Sequence, residues 1–304
     1  MKQYKFPYSQ ILFFVVMIGV GWYIWRNVDQ INRFSFHFSW LYLSLSYLTT
    51  ILAYLVLFTI WLYVSASFGL KAPVLIAAKA WFLSHLGKYV PGKITMLLLR
   101  VDTYQGYSKH VVVVSTFVEY FSILAANFLL ILIALAFPRE HLPDYFRWFA
   151  GLGLLFFLCL LWPPFLQRLI VWSFRLLKHK QMLTVPPYHR ILRYICSYIV
   201  VGLLQGFTFF FCLCAYSPLD ASYYLTITGI YFSVTIVGQF AVFTPSGLGV
   251  REGLLFIALS FLIPKPVVIV TTLTVRLIYI TSELLLATVF FSLEKITGTR
   301  KALI

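Results

Sequence analysis

Long, continuously apolar runs separated by short polar stretches dominate the chain. They cover Ile11 to Trp25, Trp40 to Val64, Val111 to Phe137, Trp148 to Leu166, Ile195 to Tyr216 and Val267 to Leu293. With ~1.5 Å of rise per residue, an apolar helix needs about 20 residues to cross a bilayer's hydrocarbon. A spanning β-strand would alternate in polarity instead, so the pattern predicts six full helical spans. Two further apolar stretches are broken near their middles. Pro73 to Val101 is interrupted over Gly87 to Lys93, and Tyr223 to Ile263 over Thr244 to Arg251. Each arm can be helical, but the breaks free backbone groups that lipid cannot satisfy, so they must be buried in protein or line a wet cavity. The predicted fold class is all-α, a polytopic helical membrane protein with six full spans and two Gly/Pro-broken re-entrant segments.

Composition agrees with a lipid-solvated chain. Of 304 residues, 61% are hydrophobic and 11% charged, far from the roughly 25% charged residues of a soluble domain. This excludes cytosolic Rossmann enzymes and secreted disulfide scaffolds. The N-terminal run resembles a signal peptide, but Trp22, Tyr23 and Trp25 are too bulky for a cleavage site, so it is predicted to be an uncleaved first helix. The four cysteines, Cys159, Cys196, Cys212 and Cys214, fall in apolar stretches at spacings that match no zinc or redox motif, and read as small core residues.

The net charge of +15 sits in the loops. One set of alternate loops carries Lys2, Lys5, Lys71, Lys79, Lys109, Arg168, Arg175, Lys178, Lys180, Arg190, Arg193, Lys295, Arg300 and Lys301. The opposite set mixes Arg26, Arg33, Arg139 and Arg147 with Asp29, Glu140, Asp144 and Asp220. The positive-inside rule then predicts cytoplasmic termini in a cell (inner) membrane, and no nucleic-acid partner. Gln167 to Arg193, basic with interspersed Trp172, Phe174 and Leu176, reads either as an amphipathic segment on an anionic leaflet or as an ordinary cytoplasmic loop.

The order of elements repeats. Each half reads span, span, broken segment, span, the first beginning inside and the second outside. Pro91 and Pro245 stand half a chain apart in corresponding breaks. A single membrane domain of two inverted halves, about 1–140 and 141–304, is predicted. Gly/Pro-broken segments at matching places in two halves point to a transporter's binding site; the alternative is a pair of short interfacial loops.

Ionisable groups inside apolar spans are costly and mark candidate sites. Glu119 lies within the third span, Arg276 and Glu283 within the last, Arg100 and Asp102 close the first broken segment, and Arg251 and Glu252 follow the second break. Arg100, Arg251 and Arg276 are predicted to meet a lipid phosphate, with Glu119, Glu252 and Glu283 as counter-charges. The alternative role is structural ion pairing between helices. Glu119 and Glu283 are the candidate proton-coupling groups. His85 near the first break reads as a packed or interfacial residue. No P-loop, His-Glu-x-x-His or Gly-x-Ser-x-Gly motif occurs, and Gly247 to Gly253 mimics a dinucleotide loop without a βαβ context.

Ser84-His85-Leu86-Gly87-Lys88-Tyr89-Val90-Pro91-Gly92-Lys93-Ile94, with Arg100 and Glu119 downstream, and Thr244-Pro245-Ser246-Gly247-Leu248-Gly249-Val250-Arg251-Glu252-Gly253 together resemble the lysylphosphatidylglycerol synthase transmembrane-domain family. The resemblance covers nearly the whole chain, and the second block is its most specific part. It implies a helical bundle with re-entrant segments that moves a phospholipid or lipid-linked head group between leaflets. It also implies site residues Pro91, Gly92, Arg100, Glu119, Pro245, Gly247, Gly249, Arg251 and Glu252. The chain departs from the family at Thr95, where Gly is frequent, and at Tyr120, where Arg is frequent, so the head-group partner is expected to differ. With no soluble aminoacyl-transfer domain in the sequence, transport without lipid synthesis is expected. The expected partner is a membrane lipid with an anionic or modified head group, with no cofactor. A membrane enzyme or accessory subunit presenting a lipid-linked substrate to a cytosolic aminoacyl- or glycosyltransferase stays open as the alternative, as does a homo-oligomer.

Overall fold

A computed structural model describes residues 34–89, 94–136, 145–176, 183–241 and 244–297. Among these residues the chain forms ten α-helices and no strand. The helices are α1 (Trp40–Ser67), α2 (Val74–Leu86), α3 (Ile94–Thr103), α4 (Lys109–Ala136), α5 (Tyr145–Leu160), α6 (Pro163–Leu176), α7 (Tyr188–Cys214), α8 (Tyr224–Phe240), α9 (Val250–Leu259) and α10 (Lys265–Thr297). Short 3₁₀ turns at Gly87–Tyr89, Ala221–Tyr223 and Pro245–Gly247 complete the set. Five helices are long and apolar enough to cross a membrane: α1, α4, α7, Ala221–Phe240 and α10. The protein is an all-α, polytopic helical membrane protein. The predicted first span, Ile11 to Trp25, lies outside the described residues, as do Pro91 and Gly92.

Three expectations change. The predicted span from Trp148 to Leu166 is two helices, because Pro163 and Pro164 lack amide hydrogens and a helix tolerates proline only in its first turn. Helices α5 and α6 meet at 63°. Leu166 and Ile170 of α6 are buried, while Phe165, Leu169 and Trp172 face outward. The Gln167 side chain pins the returning chain, donating to the Leu183 carbonyl at 3.0 Å and accepting from the Val185 amide at 3.2 Å. Second, the two broken segments are unequal. The arms of the first, α2 and α3, have 13 and 10 residues and pack against each other. The first arm of the second, Ala221–Phe240, has 20 residues and is itself long enough to cross, so that segment is not a pair of short re-entrant arms. Third, Cys212 and Cys214 are buried, but Cys159 and Cys196 are exposed on the outer surface of the bundle, not in its core.

Contacts between the halves are reciprocal. Helix α1 packs along α7, its counterpart by order in the second half. Helix α4 packs on α7 and α8, and α10, its own counterpart, packs on α1 and α2. Lipid gives no hydrophobic drive for helices to associate with one another, so close approach and buried polar contacts must hold the pairs. At the α1–α7 seam the Ser46 hydroxyl donates to the Thr208 carbonyl at 2.7 Å, and the Thr50 hydroxyl to Thr208 Oγ1 at 3.2 Å. At the α4–α8 seam Gly229 lies so close to Ala134 that a Cβ there would fall 2.5 Å from the alanine methyl.

Neither methyl group could swing aside, so Gly229→Ala is expected to force α4 and α8 apart at a cost of about 1–3 kcal/mol. Gly151→Ala, whose new Cβ meets nothing within 4 Å, is the matched control. Thermal unfolding in detergent should show a lowered midpoint for the first variant alone; equal midpoints would mean that the seam is looser than described.

Candidate functional site

The second break is built from residues that bend the chain the wrong way for a helix. Ser246, Gly247 and Gly249 all have positive φ, at 53°, 71° and 82°, a region that strains side chains and suits glycine. A Cβ on Gly247 would lie 3.0 Å from the Gly238 carbonyl oxygen, so the turn is pressed onto the backbone of α8. Helix α9 begins immediately afterwards, and the Glu252 carboxylate accepts the Gly249 amide at 2.6 Å, which satisfies an orphan donor and places negative charge at the positive helix end. The other oxygen of Glu252 is ion-paired to Arg276 of α10, whose guanidinium also reaches the Ser246 carbonyl at 3.5 Å.

The first break comes to the same place. The 3₁₀ turns Gly87–Tyr89 and Pro245–Gly247 touch, and between them and α8, α9 and α10 lies a cavity of about 40 Å³, enough for about three waters. Its polar lining includes Lys88, Arg251, Glu252, Arg276, Tyr231 and Tyr279. The Arg251 guanidinium sits 4.6 Å from the Tyr231 ring centre and 6.0 Å from that of Tyr279, and the two phenols share a 2.6 Å hydrogen bond. Among the described residues Arg251 forms no ion pair, in contrast to Arg276. Lys88 is ion-paired with Glu283 of α10, and the same carboxylate oxygen accepts the Tyr54 hydroxyl of α1. Glu283 is 1% exposed, and its second oxygen has no hydrogen-bond partner among the described residues.

Arg100 and Glu119 are separate from this cavity. They pair with each other, Arg100 wholly buried. Ser84 accepts from Arg100 Nε at 3.1 Å, Trp81 Nε1 donates to the second Glu119 oxygen at 2.9 Å, and the guanidinium lies 4.3 Å from the Trp61 ring centre. The expected convergence of Arg100, Arg251 and Arg276 on one ligand is therefore corrected: Arg251 and Arg276 share the cavity, and Arg100 is walled off by tryptophans. Gly247 and Gly249 shape the turn, and Glu252 caps it. Pro245 opens the same turn. Glu283 joins the site through Lys88. His85 is packed, as expected, its ring centre 3.7 Å from that of Trp81. Four residues escaped the sequence reading: Lys88, Tyr54, Tyr231 and Tyr279. Lys88 stood inside the first break and carried a usable signal, a cation at a buried helix interruption. The tyrosines carried none, being lost among the 20 of the chain.

The sequence matches no family model, and no curated protein shows significant similarity to it.

This geometry separates a structural pair from an anion-ready surface. Arg100→Met leaves Glu119 buried without its cation, held by Trp81 alone, and is expected to cost about 3–5 kcal/mol, much of which Arg100→Met/Glu119→Met should restore. Arg251→Met removes its contacts with the Tyr231 and Tyr279 rings, worth about 1–2 kcal/mol. Detergent unfolding of the three variants checks the order; equal losses for the two single variants would contradict it.

Proposed function

We propose that the chain is a flippase-like transporter that moves a phospholipid or lipid-linked head group between the leaflets of a cell (inner) membrane, with both termini in the cytoplasm. The observation that carries the reading is the meeting of the two helix breaks, one from each half, around a cavity lined by Lys88, Arg251 and Arg276. A charged head group is costly to place in hydrocarbon, so a route across needs fixed cations and hydroxyls at depth, and broken helices are where membrane proteins build such places. Arg251 offers a planar donor set suited to phosphate, and it is the cation of the cavity without a carboxylate partner among the described residues.

Further support comes from the reciprocal packing of α4 on α8 and α10 on α2, which suits two inverted repeats that rock against each other. The block Thr244 to Gly253, on which the resemblance to the lysylphosphatidylglycerol synthase transmembrane-domain family rests, forms one wall of the cavity. At about 40 Å³ the cavity is smaller than a phospholipid head group, so on this reading loading requires the two breaks to separate.

The test is reconstitution in vesicles with labelled phosphatidylglycerol, an aminoacylated phosphatidylglycerol and a polyprenyl phosphate. At least one should change leaflet in a protein-dependent way, and Arg251→Ala should slow it by about tenfold or more, the equivalent of one lost charge-assisted hydrogen bond. Absence of movement for all three contradicts the reading. A chemically modified lipid formed with a soluble donor would favour the enzyme-accessory alternative.

A further inference from the structure

The two candidate coupling carboxylates are not equivalent. Glu119 is saturated: each oxygen has a donor, one from Trp81 and one from Arg100, and its cationic partner has no exposure. Glu283 is half-satisfied. One oxygen takes both Lys88 and Tyr54, while the other is buried and accepts no hydrogen bond among the described residues. Its cationic partner sits on the first break, is 29% exposed and lines the cavity. Lys88 is thus placed between two anion positions, the Glu283 carboxylate behind it and the cavity in front.

Resting on the transporter reading above, we propose that Glu283 is a proton-binding site and that the protein co-transports one proton with each anionic head group. An anion drawn in by Arg251 competes for Lys88. As the Lys88 ammonium shifts its hydrogen bond from Glu283 Oε1 to a phosphate oxygen, a buried carboxylate would be left without a cation, with only the neutral hydroxyls of Tyr54 and Tyr89 beside it, a strongly unfavourable state. Uptake of one proton converts it to a neutral carboxylic acid. On release, the proton leaves and the Lys88–Glu283 pair re-forms. The load, one monoanion and one proton, is electroneutral, so the site carries the same net charge empty and loaded.

The groups around Glu283 fit this exchange. Tyr54 of α1 donates to it, His85 of α2 packs edge-on to Tyr54 with ring centres 6.5 Å apart, and Tyr89 beside Lys88 and Tyr279 of α10 lie near the carboxylate. Arg251 and Glu252 of α9, Tyr231 of α8 and Arg276 of α10 line the adjoining cavity. Helix α7 meets α10 elsewhere, with Cys212 and Tyr216 at Thr271 and Thr274. Among the described residues Lys88 is the one cation bonded to Glu283.

The experiment uses vesicles holding labelled phosphatidylglycerol or polyprenyl phosphate, with the membrane potential clamped at zero by potassium and valinomycin and a pH gradient of one unit imposed. For phosphatidylglycerol, coupling of one proton per lipid is expected to drive leaflet asymmetry of up to about tenfold; Glu283→Gln should show none. Movement by the wild-type protein that ignores the gradient removes the coupling and leaves the transporter reading intact, whereas no movement of either lipid removes both. A second readout is independent of transport. Infrared difference spectra of the purified protein on adding short-chain phosphatidylglycerol at fixed pH should show a new carboxylic-acid band that Glu283→Gln lacks, and its absence from the wild-type protein would overturn the proposal.

Discussion

Hydrocarbon offers no hydrogen bonds, and this constraint organises the structure. A helix inside a bilayer satisfies its own backbone, but one that stops inside the protein leaves amides and carbonyls that only other protein groups or trapped water can meet. Two of the described helices stop beside the cavity, one after Leu86 and one after Phe240. At the second stop Glu252 takes the Gly249 amide, and Arg276 takes Glu252 and reaches the Ser246 carbonyl. The charges in the apolar spans are thus partly the means by which a broken helix is tolerated. What they leave over is Arg251, which lies over the Tyr231 ring and makes no ion pair among the described residues.

The two halves solve the same problem with opposite charges. In the first, the arm after the break carries the cation and the following span the carboxylate, Arg100 to Glu119. In the second, the arm carries the carboxylate and the span the cation, Glu252 to Arg276. The first pair is sealed by Trp61 and Trp81 and behaves as part of the core. The second is partly exposed and faces the cavity. Among the described residues two pairs cross between the halves, Lys79 to Glu294 and Lys88 to Glu283, and the second of them joins the halves at the break itself.

The fold was legible where physics acts on length. An apolar run of spanning length has few alternatives, so α1, α4, α7 and α10 stand where hydropathy puts them. The fourth predicted span is bent at Pro163-Pro164, where two missing amide hydrogens are local and decisive and apolarity alone gives no warning. The breaks were legible as breaks, from Gly and Pro, but their inequality was not: whether an arm of 17 to 20 residues crosses or dips is decided by its packing partners. At the site, Arg251, Glu252, Arg276 and Glu283 were recognisable because charge inside an apolar run is rare. Which carboxylate serves which cation is a tertiary matter, and pattern alone could not separate sealed Arg100 from Arg251. Tyr231 and Tyr279 become visible only when α8 and α10 bring their hydroxyls together.

Everything in the functional account depends on the two breaks meeting inside one bundle. The direct measurement places cysteines at Tyr89 and Ser246, in a background without the four native cysteines, and treats intact membranes with a short bifunctional thiol reagent. An intramolecular cross-link requiring both cysteines is the expected result, reduced by an anionic lipid that separates the breaks. If each single cysteine reacts readily with a maleimide while the pair never cross-links, the breaks lie apart and there is no shared cavity.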